Sequence, residues 1–214
     1  MTDRPILFNG PMVRALLNGS KTQTRRVVKA RPDRNMGKRC MLQPHELAGE
    51  VNQGEYSNCP YGQPSDRLWV RENFQPFLND ECDGDMRLAN WTTGENYHCS
   101  FPASHGIHEF MDEEDNLKSS VKPSIHMPRW ASRIMLEITG VRVERLQEIS
   151  EADAIAEGIT KGPDHYAPPV PKKVKAFYDG SAKRGYHSLW ESINGIGSWD
   201  LNPWVWVVEF KATP

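Results

Sequence analysis

The stretch SRIMLEITGVRVERL, residues 132–146, predicts the centre of the fold. Ile134, Leu136 and Ile138 recur at every second position, which places their side chains on one face of a β-strand. Gly140 interrupts this alternation and marks a bend. The stretch therefore predicts one long strand or a bent pair of strands, around which the other segments are arranged.

Four further segments have the composition of strands. They are RPILFNG (4–10), TQTRRVV (22–28), DRLWVRENF (66–74) and PWVWVVEF (203–210). In the third segment Leu68 and Val70 share one face, whereas Trp69 and Arg71 share the other. In the last segment the residues at 204, 206, 208 and 210 form an apolar face.

Three segments have helix signals: NGPMVRALLNG (9–19), SEADAIAEG (150–158) and RGYHSLWESI (184–193). In the second, Ser150 is placed to cap the helix, Asp153 occupies the capping-box position, and Gly158 ends the helix. Short helices among five or so strands, without regular strand–helix alternation, predict an α+β fold. The specific prediction is a small mixed β-barrel with short flanking helices.

The remaining residues predict long insertions within a single domain of residues 1–214. Stretches rich in proline, glycine and charge lie at about 29–65, 75–125 and 160–182. The second is expected to be loosely organised and to contribute no core strand, although Trp91, Phe101 and Phe110 are candidates to anchor it.

Charge is distributed unevenly, although the net charge is only -2. Residues 1–39 contain ten Lys or Arg and two Asp or Glu, whereas residues 79–115 contain ten Asp or Glu and one Arg. A basic segment of this kind suits an anionic ligand. Two ordinary solvated surfaces explain the same pattern more simply.

The cysteines and the hydropathy pattern predict a cytoplasmic protein with free thiols. No signal peptide is recognised, and no apolar run approaches the ~18 residues that a membrane helix needs. Cys40, His45, Cys59, His98 and Cys99 could form a zinc site, but the sequence contains no CxxC pair, which disfavours that alternative. No metal ion or other cofactor is expected.

The segment GSKTQTRR, residues 19–26, contains a candidate nucleophile. A threonine hydroxyl is weakly nucleophilic and needs a neighbouring base or cation, which Lys21 supplies if a turn brings it close to Thr24. In an extended strand the two side chains would point to opposite faces. A helix end whose basic side chains bind free carbonyl groups is the alternative, and the local sequence favours it.

Glu157 lies at the end of a predicted helix, where local rules favour a cation. A carboxylate at that position opposes the helix dipole, at a cost of about 0.3–1 kcal/mol if exposed. Residues that break such local rules concentrate at functional sites. The helix dipole also raises the proton affinity of the carboxylate, which a general acid or base requires. An ordinary surface glutamate is the alternative.

Taken together, these segments resemble the ASCH domain family, whose barrel is similar to the PUA RNA-binding fold. GSKTQTRR matches the family signature Gly-x-Lys-x-x-Thr-x-Arg, and SDRLWVRENF (65–74) resembles its Gly-Asp-x-Leu-x-Val strand with Ser65 in place of glycine. LQEISEADAIAEGI (146–159) resembles the helix that carries the family's acidic residue, and PWVWVVEF resembles the closing strand. The whole chain resembles the long ASCH proteins of phages and prophages.

The resemblance implies an enzymatic activity. Short bacterial ASCH proteins similar in these segments hydrolyse N4-acetylcytidine with a lysine, a threonine and a glutamate, which correspond to Lys21, Thr24 and Glu157. The implied function is an amidohydrolase with Thr24 as the nucleophile. Arg26 and Arg71 are the candidates for substrate binding.

Two other functions fit the same resemblance. The protein could bind RNA or a modified base without catalysis, using basic residues for phosphate and tryptophans for stacking. It could also cleave RNA, although no pair of histidines lies near the signature; the candidate histidines are His98, His105, His108 and His126. The expected partner is therefore a modified nucleoside or RNA, and no membrane contact is expected.

Overall fold

The computed structural model describes residues 2–78, 90–111, 117–161, 166–167 and 180–213. The strands in this part of the chain are β1 (Asp3–Leu7), β2 (Gln23–Val27), β3 (Arg31–Asp33), β4 (Gly37–Leu42), β5 (Arg67–Arg71), β6 (Gln75–Leu78), β7 (Tyr97–Ser100), β8 (Phe110–Met111), β9 (Leu117–Lys118), β10 (Met135–Arg145), β11 (Thr160–Lys161), β12 (Tyr166–Ala167) and β13 (Trp204–Thr213). The α-helices are α1 (Gly10–Leu17), α2 (Pro44–Asn52), α3 (Pro102–His105), α4 (Glu151–Ala156) and α5 (Ala182–Asn194).

The central sheet has five strands in the order β1-β5-β10-β13-β2. Strands β1 and β5 are parallel, and the other neighbours are antiparallel. The long strand β10 has a register shift between Ile138 and Gly140, which confirms the predicted bend.

The predicted α+β class is confirmed. In the described part of the chain the sheet does not close into a barrel, since β1 and β2 are its two edges. These edges are nevertheless within reach of each other, because the Arg26 Nη2 atom on β2 donates to the Leu7 carbonyl oxygen on β1 at 2.6 Å. A side chain, rather than a backbone ladder, spans the gap.

The helix caps agree with the sequence prediction. Asn9 accepts a hydrogen bond from the Met12 backbone N–H at the start of α1. Ser150 and Asp153 form the predicted capping box of α4. The apolar face of α1 is formed by Met12, Val13, Ala15 and Leu16, whereas Leu17 is 51% exposed.

The stretch 29–65 is more structured than the loop insertion that the sequence predicts. It contains the β3–β4 hairpin and helix α2, whose Leu47, Ala48 and Val51 side chains are buried in the main core. The sequence did not predict α2, because these three apolar residues lie within a charged and glycine-rich stretch. Their spacing nevertheless places them on one helix face.

Replacing Leu47 with alanine should therefore destabilise the whole protein by about 2–5 kcal/mol, because Leu47 is fully buried and its removal leaves a cavity. Denaturant unfolding measures this loss. Met36→Ala is a matched control from the same stretch, since Met36 is 70% exposed. Equal stability of the two variants would mean that α2 does not belong to the core.

The described residues of the 75–125 stretch add no strand to the central sheet, as predicted. They form the small two-stranded sheets β6–β7 and β8–β9. Phe101 is buried with Phe74 in a second apolar cluster, and the Trp91 ring stacks on Phe74 at 6.2 Å between centroids. Trp91 and Phe101 therefore anchor this stretch as predicted, whereas the Phe110 side chain lies outside the described residues. Residues 79–89 and 112–116, and most of 160–182, lie outside the described residues.

None of the helices described is long and apolar enough to cross a membrane. Cys40, Cys59 and Cys99 have free thiols, whereas Cys82 lies outside the described residues. Within the same part of the chain, no three His, Cys, Asp or Glu side chains are grouped as a metal site would require.

Candidate functional site

The turn after α1 is held against the end of α4 by backbone hydrogen bonds. Gly19, at a φ of 76°, reverses the chain, and the Lys21 N–H then donates to the Ala15 carbonyl oxygen at 2.9 Å. The Thr22 N–H donates to the Ala156 carbonyl oxygen at 2.8 Å. The signature segment is thereby placed beside Glu157, which follows α4 as its C-cap.

Lys21 and Glu157 form a buried ion pair. The Lys21 Nζ atom lies 2.7 Å from the Glu157 Oε2 atom and also donates to the Glu157 backbone carbonyl oxygen at 2.9 Å. Burial lowers the pKa of Lys21, and the Glu157 carboxylate acts in the opposite direction. The unfavourable placement of a carboxylate at a helix C-terminus is thus compensated by an ammonium group that binds both the side chain and the helix end.

Arg25 extends this pair into a network of charges. Its Nη2 atom lies 2.6 Å from Glu144 Oε1 and 3.3 Å from Asp153 Oδ2, and its Nη1 atom lies 3.4 Å from Glu157 Oε1. Arg142 joins Glu144 and Asp153 from the solvent side, at 3.0 Å to each. Glu157 therefore contacts two cations and is fixed in position.

Thr24 and Glu157 line one cavity of about 60 Å³. The cavity is walled by β2, α1 and α5; the other lining residues are Met12, Arg25, Arg26, Val27, Tyr186, Leu189, Trp190, Ile193 and Asn194. Val27, Ile193 and Asn194 are exposed and mark the side of the cavity that faces solvent.

The sequence predicts that the Thr24 hydroxyl lies near the Lys21 amine, directly or through one water, and no direct hydrogen bond between the two groups is observed. The Lys21 Nζ atom donates to Glu157 instead, and among the described residues the Thr24 hydroxyl has no hydrogen-bond partner. Thr24 is buried and is one of the residues that line the cavity. The three candidate residues are joined through Glu157, which contacts Lys21 and lines the cavity of Thr24.

Helix α5 contributes two polar side chains that the sequence interpretation did not identify as functional. The Trp190 Nε1 atom is buried and lacks an acceptor within the described part of the chain. Burial raises the pKa of the Tyr186 phenol well above its usual value. A buried indole N–H usually has a partner, so this donor beside a cavity is suited to a ligand. The segment RGYHSLWESI indicated only a helix, and no feature of its sequence marked these two residues as functional.

Arg26 and Arg71, the candidate substrate-binding residues, line a second cavity of about 300 Å³ with Tyr61 and residues of β1. Arg26 lines both cavities. The Arg71 guanidinium lies 5.5 Å from the centroid of the Trp69 ring and donates to the Ile125 carbonyl oxygen. Arg26 is thus common to the linings of the two cavities, whereas Arg71 lines only the larger one.

The histidines of the acidic stretch do not line the Thr24 cavity. His98 stacks on Phe77 with the ring centroids 5.2 Å apart, and His108 meets the same ring edge-on at 6.4 Å. His105 ends α3, and His126 ends a short 3-10 helix. This arrangement gives no support to a histidine-based ribonuclease site at the signature.

Comparisons of the chain with protein-family models, with curated proteins and with solved structures found no significant match.

Proposed function

We propose that the protein is an amidohydrolase that removes the acyl group from an N-acylated modified nucleoside such as N4-acetylcytidine. The observation that carries the proposal is the contact between Lys21 and Glu157, 136 positions apart in sequence, next to the cavity that Thr24 lines. A lysine, a threonine and a glutamate in this arrangement provide a nucleophile, a proton acceptor and a fixed cation.

The proposal includes a PUA-like barrel of the ASCH type. Two features support it: the Arg26 side chain spans the gap between the edge strands, and Ser65 has a φ of 75°. The signature that the sequence resembles has glycine at that position, and glycine adopts positive φ angles without strain. Ser65 therefore keeps the backbone conformation that a glycine would serve.

The reaction proceeds through an ester on Thr24. Its hydroxyl oxygen attacks the acyl carbonyl carbon, the C–N bond breaks, and the amine leaves with a proton. Water then cleaves the acyl-threonine ester, which releases the carboxylic acid and restores the hydroxyl. Glu157 suits the proton transfers better than Lys21, because Glu157 lines the cavity and Lys21 reaches it only through Glu157.

The size of the cavity limits what enters it. A volume of about 60 Å³ holds about four water molecules by the usual measure, which suits an acyl group but not a pyrimidine ring. The acyl group is therefore assigned to the cavity beside Thr24. The heterocycle is assigned to its solvent side, next to Val27, Ile193 and Asn194.

Trp190 is assigned the role of donating its indole N–H to an oxygen of the substrate. Trp190→Phe keeps an aromatic ring, although a smaller one, and removes the N–H donor, so kcat/KM should fall about threefold to tenfold, the value of one neutral hydrogen bond. Trp199→Phe is the matched control, since Trp199 packs against Tyr186 but does not line the cavity. Equal activity of the two variants would remove Trp190 from the site.

The direct test is to incubate the purified protein with N4-acetylcytidine and to measure cytidine and acetate by chromatography. Release of both in equal amounts supports the amidohydrolase. Binding without release would instead favour a reader of modified bases, and cleavage of an RNA probe would favour a ribonuclease.

A further inference from the structure

Four arginines surround the loop that carries Tyr61. Arg26 and Arg71 line the larger cavity with Tyr61. Burial raises the pKa of Tyr61, and the positive charges of Arg26 and Arg31 oppose that rise. Arg4 is close enough to Arg31 for its charge to help lower the Arg31 pKa, although burial is the larger cause. The loop is therefore enclosed by positive charge.

These arginines lack counter-charges in the described part of the chain. Among the described residues, no carboxylate oxygen lies within 4.0 Å of any of the four. Arg25 and Arg142, by contrast, each pair with three acidic residues. The Nε atoms of Arg4, Arg31 and Arg71 are buried without a hydrogen-bond partner. The neighbouring acid, Asp66, accepts hydrogen bonds from two backbone N–H groups instead.

Unpaired arginines in a partly buried site are unfavourable for the free protein. Guanidinium groups repel one another, and burial deprives them of water. Their five N–H donors match the oxygens of a phosphate in a paired geometry, which compensates both effects when the anion binds. The Tyr61 hydroxyl adds a neutral donor at the same cavity.

We propose that the cavity lined by Arg26, Tyr61 and Arg71 binds a phosphate group attached to the nucleoside, so that the preferred substrate is a nucleotide rather than a free nucleoside. Because Arg26 lines both cavities, we place the two ends of one ligand on either side of it, with the acyl group beside Thr24 and the phosphate in the larger cavity. That cavity, of about 300 Å³, has room for a phosphate together with its ribose. The inference rests on the proposed function only for the identity of the group beside Thr24.

Equilibrium binding tests the inference without any turnover. Calorimetry with cytidine 5′-monophosphate, cytidine and inorganic phosphate should show the monophosphate binding at least about tenfold more tightly than cytidine, since a charge-assisted hydrogen bond has about that effect. The preference should shrink as salt is added. A cytidine dinucleotide shows whether the phosphate is read as a monoester or within RNA.

Arginine variants identify the cavity. Arg71→Gln should lose most of the preference for the monophosphate, and denaturant unfolding of the same sample shows that the variant is folded. Arg67→Gln makes the same change of charge on the same strand, at an exposed pair with Asp3, and should keep the preference. Because Arg71 also donates to a backbone carbonyl, Tyr61→Phe provides a second variant, with an expected loss of about threefold to tenfold.

The outcomes separate the two proposals. Equal affinity for cytidine and its monophosphate, or equal losses in Arg71→Gln and Arg67→Gln, would overturn the phosphate site even if N4-acetylcytidine is hydrolysed. Binding of the monophosphate that depends on Arg71, with no hydrolysis of any acylated nucleoside, would support the phosphate site and reject the amidohydrolase.

Discussion

Thr24→Ala is expected to lower the turnover of N4-acetylcytidine by about a thousandfold or more, because it removes the only atom that forms the ester. The stability of the variant should fall by only about 1 kcal/mol, the value of the buried methyl group that is also removed. Thr24→Ser keeps the hydroxyl and should retain part of the activity. Steady-state kinetics and denaturant unfolding measure the two effects separately.

Thr22 provides a control within the same signature segment. It is exposed and does not line the cavity, so Thr22→Ala should retain full activity. Mass spectrometry of the wild-type protein quenched during turnover should detect an acylated peptide that contains Thr24. A Thr24→Ala variant that remains active would rule out the covalent mechanism.

Lys21→Met is expected to destabilise the protein by about 3–5 kcal/mol, because it leaves the buried Glu157 carboxylate without its closest cation. The double variant with Glu157→Gln should recover part of this loss, since the uncompensated charge is then removed as well. Thermal or denaturant unfolding of the two single variants and the double variant measures the coupling.

An exposed pair gives the matched control for this prediction. Lys211 lies 3.2 Å from Glu137, but its side chain is 60% exposed, so Lys211→Met should change stability by about 1 kcal/mol or less. If both lysine variants lose equally little, the Lys21–Glu157 pair does not fix the site. In the catalytic assay, adding Lys21→Met to Thr24→Ala should reduce turnover little further, because residues of one catalytic unit are not additive.

Local patterns predicted the elements of this fold well and their arrangement less well. The alternation around Leu136, the bend at Gly140 and the cap at Ser150 each depend on a few neighbouring residues, and all three are observed. Helix α2 was missed because its apolar face has only three residues within a charged stretch. The order of strands depends on contacts between distant segments, so no local pattern reveals whether the sheet closes.

The residues of the candidate site also differ in how far the sequence predicted them. Glu157 stood out from the sequence because a carboxylate ends a helix there, but its partner is 136 positions away and was reached only through the resemblance to a family. Trp190 had no comparable signal. The lack of an acceptor for its N–H becomes visible only when the side chains around the cavity are in place.

The position of β13 also affects how the protein folds on the ribosome. β13 lies between β10 and β2 and pairs with both, yet it is synthesised after every other strand described. Until β13 leaves the ribosome, β2 has no backbone partner in the central sheet. The strand that carries Thr24 therefore stays without its hydrogen-bonded neighbour during most of translation. A nascent chain in this state exposes strand edges, which favour aggregation.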